Sequence, residues 1–334
     1  MRVNSMRRAA VVVAGTALLS VSALTNTALA DPAQGEYRQL VGVGSDTTQD
    51  VMNRHGSLSV DSNGIPDKQL IASYDATGSV NVKTRRSKCS LPRPNGSSAG
   101  ITALVNDVAA GTKCIDFARS SRGPQDTTTT DLTFIPFAKD GVTYAVRKDS
   151  GLPKSLTKAT LVKIYNCQTR KLNGITITPL IPQAGSGTRS FWLKQMGLVE
   201  GSLPSCVTDR AGAVQEHDGR ALTGAGDIMP FSIPQFISQA NAAKTKVEDR
   251  RGAAALGKLD GHVPVFNGVL NLKFPITRDV YNVVQTSRLG ISSVKSAFVG
   301  KTSQVCVNGA KDSVRLYGFG KAANCGSTVL KGKS

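Results

Sequence analysis

Acidic residues, aromatic rings and histidines are all scarce in this chain, and each shortage removes a class of function. Asp and Glu number 23 against 41 Lys and Arg, for a formal charge of +18. Aromatics make up 5% of the residues, and the basic residues are scattered. That is little stacking surface for bases, so no nucleic-acid partner is expected. His55, His217 and His262 stand far in sequence from any cysteine pair, and no C-x-x-C occurs. No metal site and no cofactor is therefore expected. Internal repeats and low-complexity linkers are absent too.

The first thirty residues read as a signal peptide. Arg2, Arg7 and Arg8 form a basic start, residues 9–24 are apolar, and Ala28-Leu29-Ala30 is an A-x-A cleavage site. The apolar run is short for a bilayer span. No cysteine follows the cleavage site, which excludes lipid attachment there. Arg7-Arg8 leaves the choice between general and twin-arginine export open. A secreted, extracellular or wall-associated protein is expected, still basic after cleavage, with a surface able to adhere to anionic polymer or lipid.

All six cysteines follow the cleavage site: Cys89, Cys114, Cys167, Cys206, Cys306 and Cys325. An even number in an exported chain argues for disulfides. Short loops favour the pairs 89–114, 167–206 and 306–325.

What is present is a set of glycine-permitted polar turns running into helices. Gln183-Ala184-Gly185-Ser186-Gly187-Thr188-Arg189 is the fullest, and Phe191 and Trp192 after it read as core. Gly44-Ser45-Asp46-Thr47-Thr48 and Asn95-Gly96-Ser97-Ser98-Ala99-Gly100 repeat the recipe. Small residues let a backbone approach a guest. Hydroxyls, first-turn N–H groups and the positive end of the helix dipole then hold an oxyanion. Ser45 or Asp46, and Ser97 or Ser98, are the expected caps. Strands are expected over 37–43, 70–74, 114–118, 134–138, 142–146, 176–181 and 274–284, with Lys139-Asp140-Gly141 between two of them. A helix is expected over 156–165, and residues 80–95 read as an exposed loop. Alternating strands and capped helices signal an α/β fold.

In order and content these stretches resemble the phosphate-binding solute-binding proteins of phosphate ABC transporters, of type II periplasmic-binding-protein fold. The likeness spans about residues 40–284. It also rests on Tyr74-Asp75-Ala76-Thr77-Gly78-Ser79, Ile115-Asp116-Phe117 and Phe274-Pro275-Ile276-Thr277-Arg278. The resemblance implies two lobes, 31–138 plus 273–334 and 139–272, clamping a ligand between them. The crossings would fall near 136–142 and 265–274. Thr47, Thr48, Ser79, Ser97, Ser98 and Ser121 would line the cleft from the first lobe. Ser186, Gly187, Thr188 and Arg189 would line it from the second. It further implies a monomer with no catalysis, binding a small oxyanion, phosphate first, for an ABC permease.

Two departures stand out. The family's aspartate after the I-D-F strand is absent from Arg119-Ser120-Ser121-Arg122, and its arginine four residues before the serine of S-G-T is replaced by Pro182. Arg189, Arg119 or Arg122 could restore the charge. Without the acid, rejection of sulfate should weaken, because an acceptor carboxylate repels a fully ionised dianion.

Other readings are weaker. Gly96-Ser97-Ser98-Ala99-Gly100 matches G-x-S-x-G, with Ser98 as nucleophile and His217 or His262 as base. The buried strand such an elbow needs is missing, because the preceding residues are polar and broken by proline. Ser155-Leu156-Thr157-Lys158 matches S-x-x-K, but no K-T-G follows. Glu216-His217-Asp218 reads as an exposed loop. A secreted surface-binding protein of the same fold is the remaining alternative.

Overall fold

The computed structural model describes residues 31–333, apart from 34, 64, 66 and 67. The signal-peptide reading of residues 1–30 lies outside the described residues. The first lobe opens with β1 (Leu40–Gly44), α1 (Gln49–Leu58) and β2 (Ile71–Ser73). A hairpin, β3 (Asn81–Lys83) and β4 (Ser90–Pro92), leads to α2 (Ser97–Ala110) and β5 (Phe117–Ser120). β1 pairs parallel with both β2 and β5. All three strands are buried along their whole length, as parallel strands covered by helices should be. The hairpin lies where an exposed loop was expected. Its Val82 is buried between exposed neighbours, so one apolar position suffices to seat it.

β6 (Leu132–Arg147) is the longest strand. The sheet runs Thr178–Pro179, Asp227–Ser232, β6, Thr277–Gln285, β5, β1, β2. Leu132 to Gly141 pair with Thr277–Gln285, and Val142 to Val146 pair with Asp227–Ser232. The expected break at Lys139-Asp140-Gly141 does not occur. A Cβ at Gly141 would stand 2.6 Å from Leu270 and 3.0 Å from Ile233, so glycine serves close packing there and no turn. Asp140 is fully buried and ion-paired with Arg278.

Both lobes build hydrophobic clusters against this strand. Phe134 and Leu132 pack with Val41, Ile101 and Leu104 in the first lobe. Ile135 and Phe137 pack there with Met52, Val280 and Phe298. Val142, Tyr144 and Val146 pack in the second lobe with Tyr165, Trp192 and Met196. That core also holds α3 (Lys158–Tyr165), α4 (Gly187–Met196) and α5 (Ile233–Ala240). Trp192 meets Tyr165 edge-on at 5.6 Å, so the only tryptophan is core. Each such side chain contributes roughly 1.5–3 kcal/mol when fully buried.

The disulfides are Cys89–Cys114, Cys167–Cys206 and Cys306–Cys325, as the short-loop pairing expects. Among the described residues no helix is long and apolar enough to cross a membrane.

Candidate anion-binding cleft

Three helix starts meet between the cores. α1 begins at Thr48 without a side-chain cap, and Asp46 faces Arg250 at 3.4 Å instead. α2 is capped by Gly96 and not by either serine. Gly96 has φ 111°, and a Cβ there would stand 2.4 Å from the Gly185 carbonyl oxygen. Only glycine permits that conformation and that approach. The Ser98 amide donates to the same oxygen at 3.0 Å, which ties the start of α2 to the turn before α4. Freed from capping, Ser97 shares a 3.2 Å hydrogen bond with Ser121 and accepts the Ser121 amide at 2.9 Å.

α4 is capped by Ser186, whose hydroxyl accepts the Arg189 amide at 2.9 Å. Gly187 follows. A Cβ on it would stand 2.1 Å from Ser97 Oγ and 2.5 Å from Ser121 Oγ. The second lobe therefore docks onto the first through a bare backbone.

The centre of the contact is polar and shut. Thr47 and Thr188, from opposite lobes, bring their hydroxyls within 3.3 Å. Glu216 Oε2 accepts from Thr47 at 2.9 Å and from Thr188 at 3.3 Å. His217 Nε2 lies 2.9 Å from Thr47 Oγ1 and 3.1 Å from Glu216 Oε2. The Ser232 amide donates to His217 Nδ1 at 3.2 Å, which leaves the ring proton on Nε2, facing the carboxylate. Arg278 donates to Thr188 Oγ1 at 2.8 Å and to the Gly187 carbonyl at 3.2 Å. Asp140 holds that guanidinium in place at 2.8 Å. Thr47, Thr188, Glu216 and His217 are all about fully buried. Burial works against the Glu216 charge, but His217, the Ser186 hydroxyl and the Arg278 guanidinium outweigh it and bring the carboxyl down to about 2.

Thr47, Ser97, Ser121, Ser186, Gly187 and Thr188 are thus brought together. Thr48 is buried beside them with its hydroxyl unpaired, and Ser98 Oγ accepts from Arg122 at 3.0 Å. Ser79 lies apart. It is exposed, and its hydroxyl donates to the Asn81 carbonyl and accepts from Arg93. Arg189 turns away from the cleft to Glu200 and Asp209. Arg119 is spent on the Ser73 hydroxyl and on the Gly42, Gly44 and Ser45 carbonyls. The cation on Thr188 is Arg278, a residue to which the motif around it assigns no role.

The exposed-loop reading of Glu216-His217-Asp218 is overturned by the burial of its first two residues. With it goes the premise that the site has no acid. A carboxylate is present, but it comes from a distant loop.

Asp46, Glu216 and His217 each offer a ligand atom within 4.8 Å of the others. Arg250 already pairs with Asp46, and the proton on His217 Nε2 faces Glu216, so the ligand atoms on offer are engaged by partners within the protein. As for the elbow reading, Ser98 meets an arginine while His217 meets Thr47 and Glu216, so no serine–histidine pair forms there.

The fold has known counterparts. A phosphate-bound structure from Clostridium perfringens, assigned as a phosphate ABC transporter substrate-binding protein, is 18% identical. It aligns over 85% of this chain and 99% of its own, with a TM-score of 0.57. An ABC-type phosphate transport receptor from Vibrio cholerae is 16% identical over 85% of this chain and 100% of its own, with a TM-score of 0.56. No curated protein matches the sequence. A family model described as a PBP superfamily domain matches residues 32–298. By that match the chain belongs to the PBP superfamily, with the two-lobed type II fold that its sheet and its solved counterparts share.

Proposed function

We propose that this protein is an exported solute-binding protein that captures a small oxyanion, phosphate first, and delivers it to an ABC-type permease. One observation carries the reading. Hydroxyls from both lobes converge on a single negatively charged oxygen, and an arginine donates to one of those hydroxyls from behind. That is an anion seat built from neutral side-chain donors at the starts of two helices, with one guanidinium behind them. The family supports a binding role, and both solved counterparts are described as phosphate transport proteins.

The lobes divide as 31–138 plus 273–334 and 139–272. The protein works as a monomer and without chemistry, by lobe closure around the anion. Its positive charge holds it near the anionic wall or membrane surface.

The test is calorimetric titration of dialysed protein with phosphate and then sulfate. Saturable heat with phosphate supports the reading, and comparable heat from sulfate indicates a relaxed seat. No heat from either, with Glu216 intact or replaced by Ala, refutes it and shifts the assignment to a surface-binding protein of the same fold.

A further inference from the structure

The anion seat is filled by part of the chain itself. We propose that the Glu216 carboxylate is the resident occupant of the seat, a tethered anion that latches the two lobes shut, and that an external oxyanion enters only by displacing it. This rests on reading the cleft as an oxyanion seat.

Three observations lead here. First, Glu216 Oε2 takes the donors an oxyanion would use, and they come from both lobes: Thr47 on one side and Thr188 on the other. One oxygen therefore bridges the cleft, as a captured ligand does. Second, no room is left for a four-oxygen anion, because the two threonine hydroxyls stand 3.3 Å apart and Gly187 is pressed onto Ser97 and Ser121.

Third, the loop carrying Glu216 is held in position. The Gln183 side chain accepts the Glu216 amide at 3.1 Å, and the Gln183 amide donates to the Val214 carbonyl at 2.8 Å. Gln239 donates to the His217 carbonyl at 2.9 Å. His217 sits at φ 55°, a left-handed conformation that non-glycine residues seldom adopt. Such backbone persists where the surroundings over-determine it.

The physical logic is one of compensation. A closed seat without an anion would leave buried donors unpaired, and a buried carboxylate without donors would lose its solvation uncompensated. Each satisfies the other. Glu216 also brings a negative charge to a cleft to which the stretch 119–122 brings none, but it does so in place of a ligand. The loop bearing it is neither helix nor strand, so withdrawal breaks side-chain contacts and no ladder.

The experiment compares the wild-type protein with Glu216→Ala, by small-angle scattering and by phosphate calorimetry, both starting from phosphate-free buffer. The expected wild type is compact without phosphate. The variant should be more open, should close when phosphate is added, and should bind phosphate at least tenfold more tightly than wild type. A wild type that is open without phosphate overturns the latch. So does a variant whose phosphate binding is equal or weaker, since Glu216 would then be a partner of the ligand. Opening of the variant with no response to phosphate or sulfate keeps the latch but refutes the oxyanion reading. If the alanine variant does not fold, Glu216→Gln keeps the volume and removes the charge. A Gln variant that stays as compact as wild type and binds phosphate no better overturns the proposal.

Discussion

Glu216 and His55 are both buried ionisable groups, and their surroundings could hardly differ more. Glu216 sits among hydroxyls, a histidine and a guanidinium, and keeps its charge. His55 is fully buried on α1, edge-on to Phe137 at 6.0 Å, with neither ring nitrogen hydrogen-bonded. Burial, with a smaller push from Arg54, takes its pKa down to about 3. It lies in the last turn of α1, where the helix dipole favours a cation, yet desolvation wins. Burial alone does not decide charge in this fold; the partners do. The cleft is built to hold a charge, and the region beneath α1 to refuse one.

The largest effect should come from breaking the cleft's charge compensation. Arg278→Ala leaves Asp140 buried with the Ser232 hydroxyl as its remaining side-chain donor, and removes a donor from Thr188. The expected loss is about 3–5 kcal/mol of folding stability, as for a buried ion pair stripped of one member. Urea unfolding measures it. A loss below about 1 kcal/mol would mean that water or a side-chain shift rescues Asp140, and that the cleft is less committed to charge than its geometry implies.

The His55 region should show the converse. A folded-state pKa near 3 against 6.5 in the unfolded chain means that acid protonates the unfolded form first. Stability is therefore complete above pH 6.5, falls as pH drops below it, and levels off near 3. At pH 5 the cost is about 2 kcal/mol. Asp75 works in the opposite direction, because burial pushes its carboxyl up to about 7. The wild-type curve alone thus mixes the two. The difference between wild type and His55→Leu isolates His55: the gap should shift in favour of the leucine variant below pH 6.5. A pH-independent gap would show that His55 is charged or hydrated when folded.

The same contrast explains how much of the molecule was legible beforehand. Helix-entry turns carry local signals, and Gly185-Ser186-Gly187-Thr188 and the start of α2 lie where those signals point. The short-loop cysteine pairs also follow from spacing. What escaped is tertiary. Lys139-Asp140-Gly141 has turn chemistry, but Leu270 and Ile233 packing on Gly141 decide the matter, and neither is near in sequence. With a break at Lys139-Asp140-Gly141, Asp140 reads as a turn residue and Arg278 has no partner. Glu216-His217-Asp218 is a charged trio beside a glycine, which in isolation favours solvent. Its burial exists only because the lobes close over it. Ser79 and Arg189 erred the other way: each has the residue type a ligand would want, but not the direction.

The smallest effect tests whether Ser186 is more than a helix cap. Its hydroxyl caps α4 at the Arg189 amide and also helps hold the Glu216 charge. Thr157 caps α3 in the same way, accepting the Thr160 amide at 3.1 Å, at an exposed position. Ser186→Ala and Thr157→Ala should each lose about 1 kcal/mol of stability, the usual cost of a lost cap. In the Glu216→Ala background, where no resident carboxylate competes, only Ser186→Ala should also weaken phosphate binding, by about tenfold, the equivalent of one charge-assisted hydrogen bond. Equal stability losses with unchanged phosphate binding in both variants would reduce Ser186 to a cap. The seat would then rest on Thr47, Thr188 and Arg278.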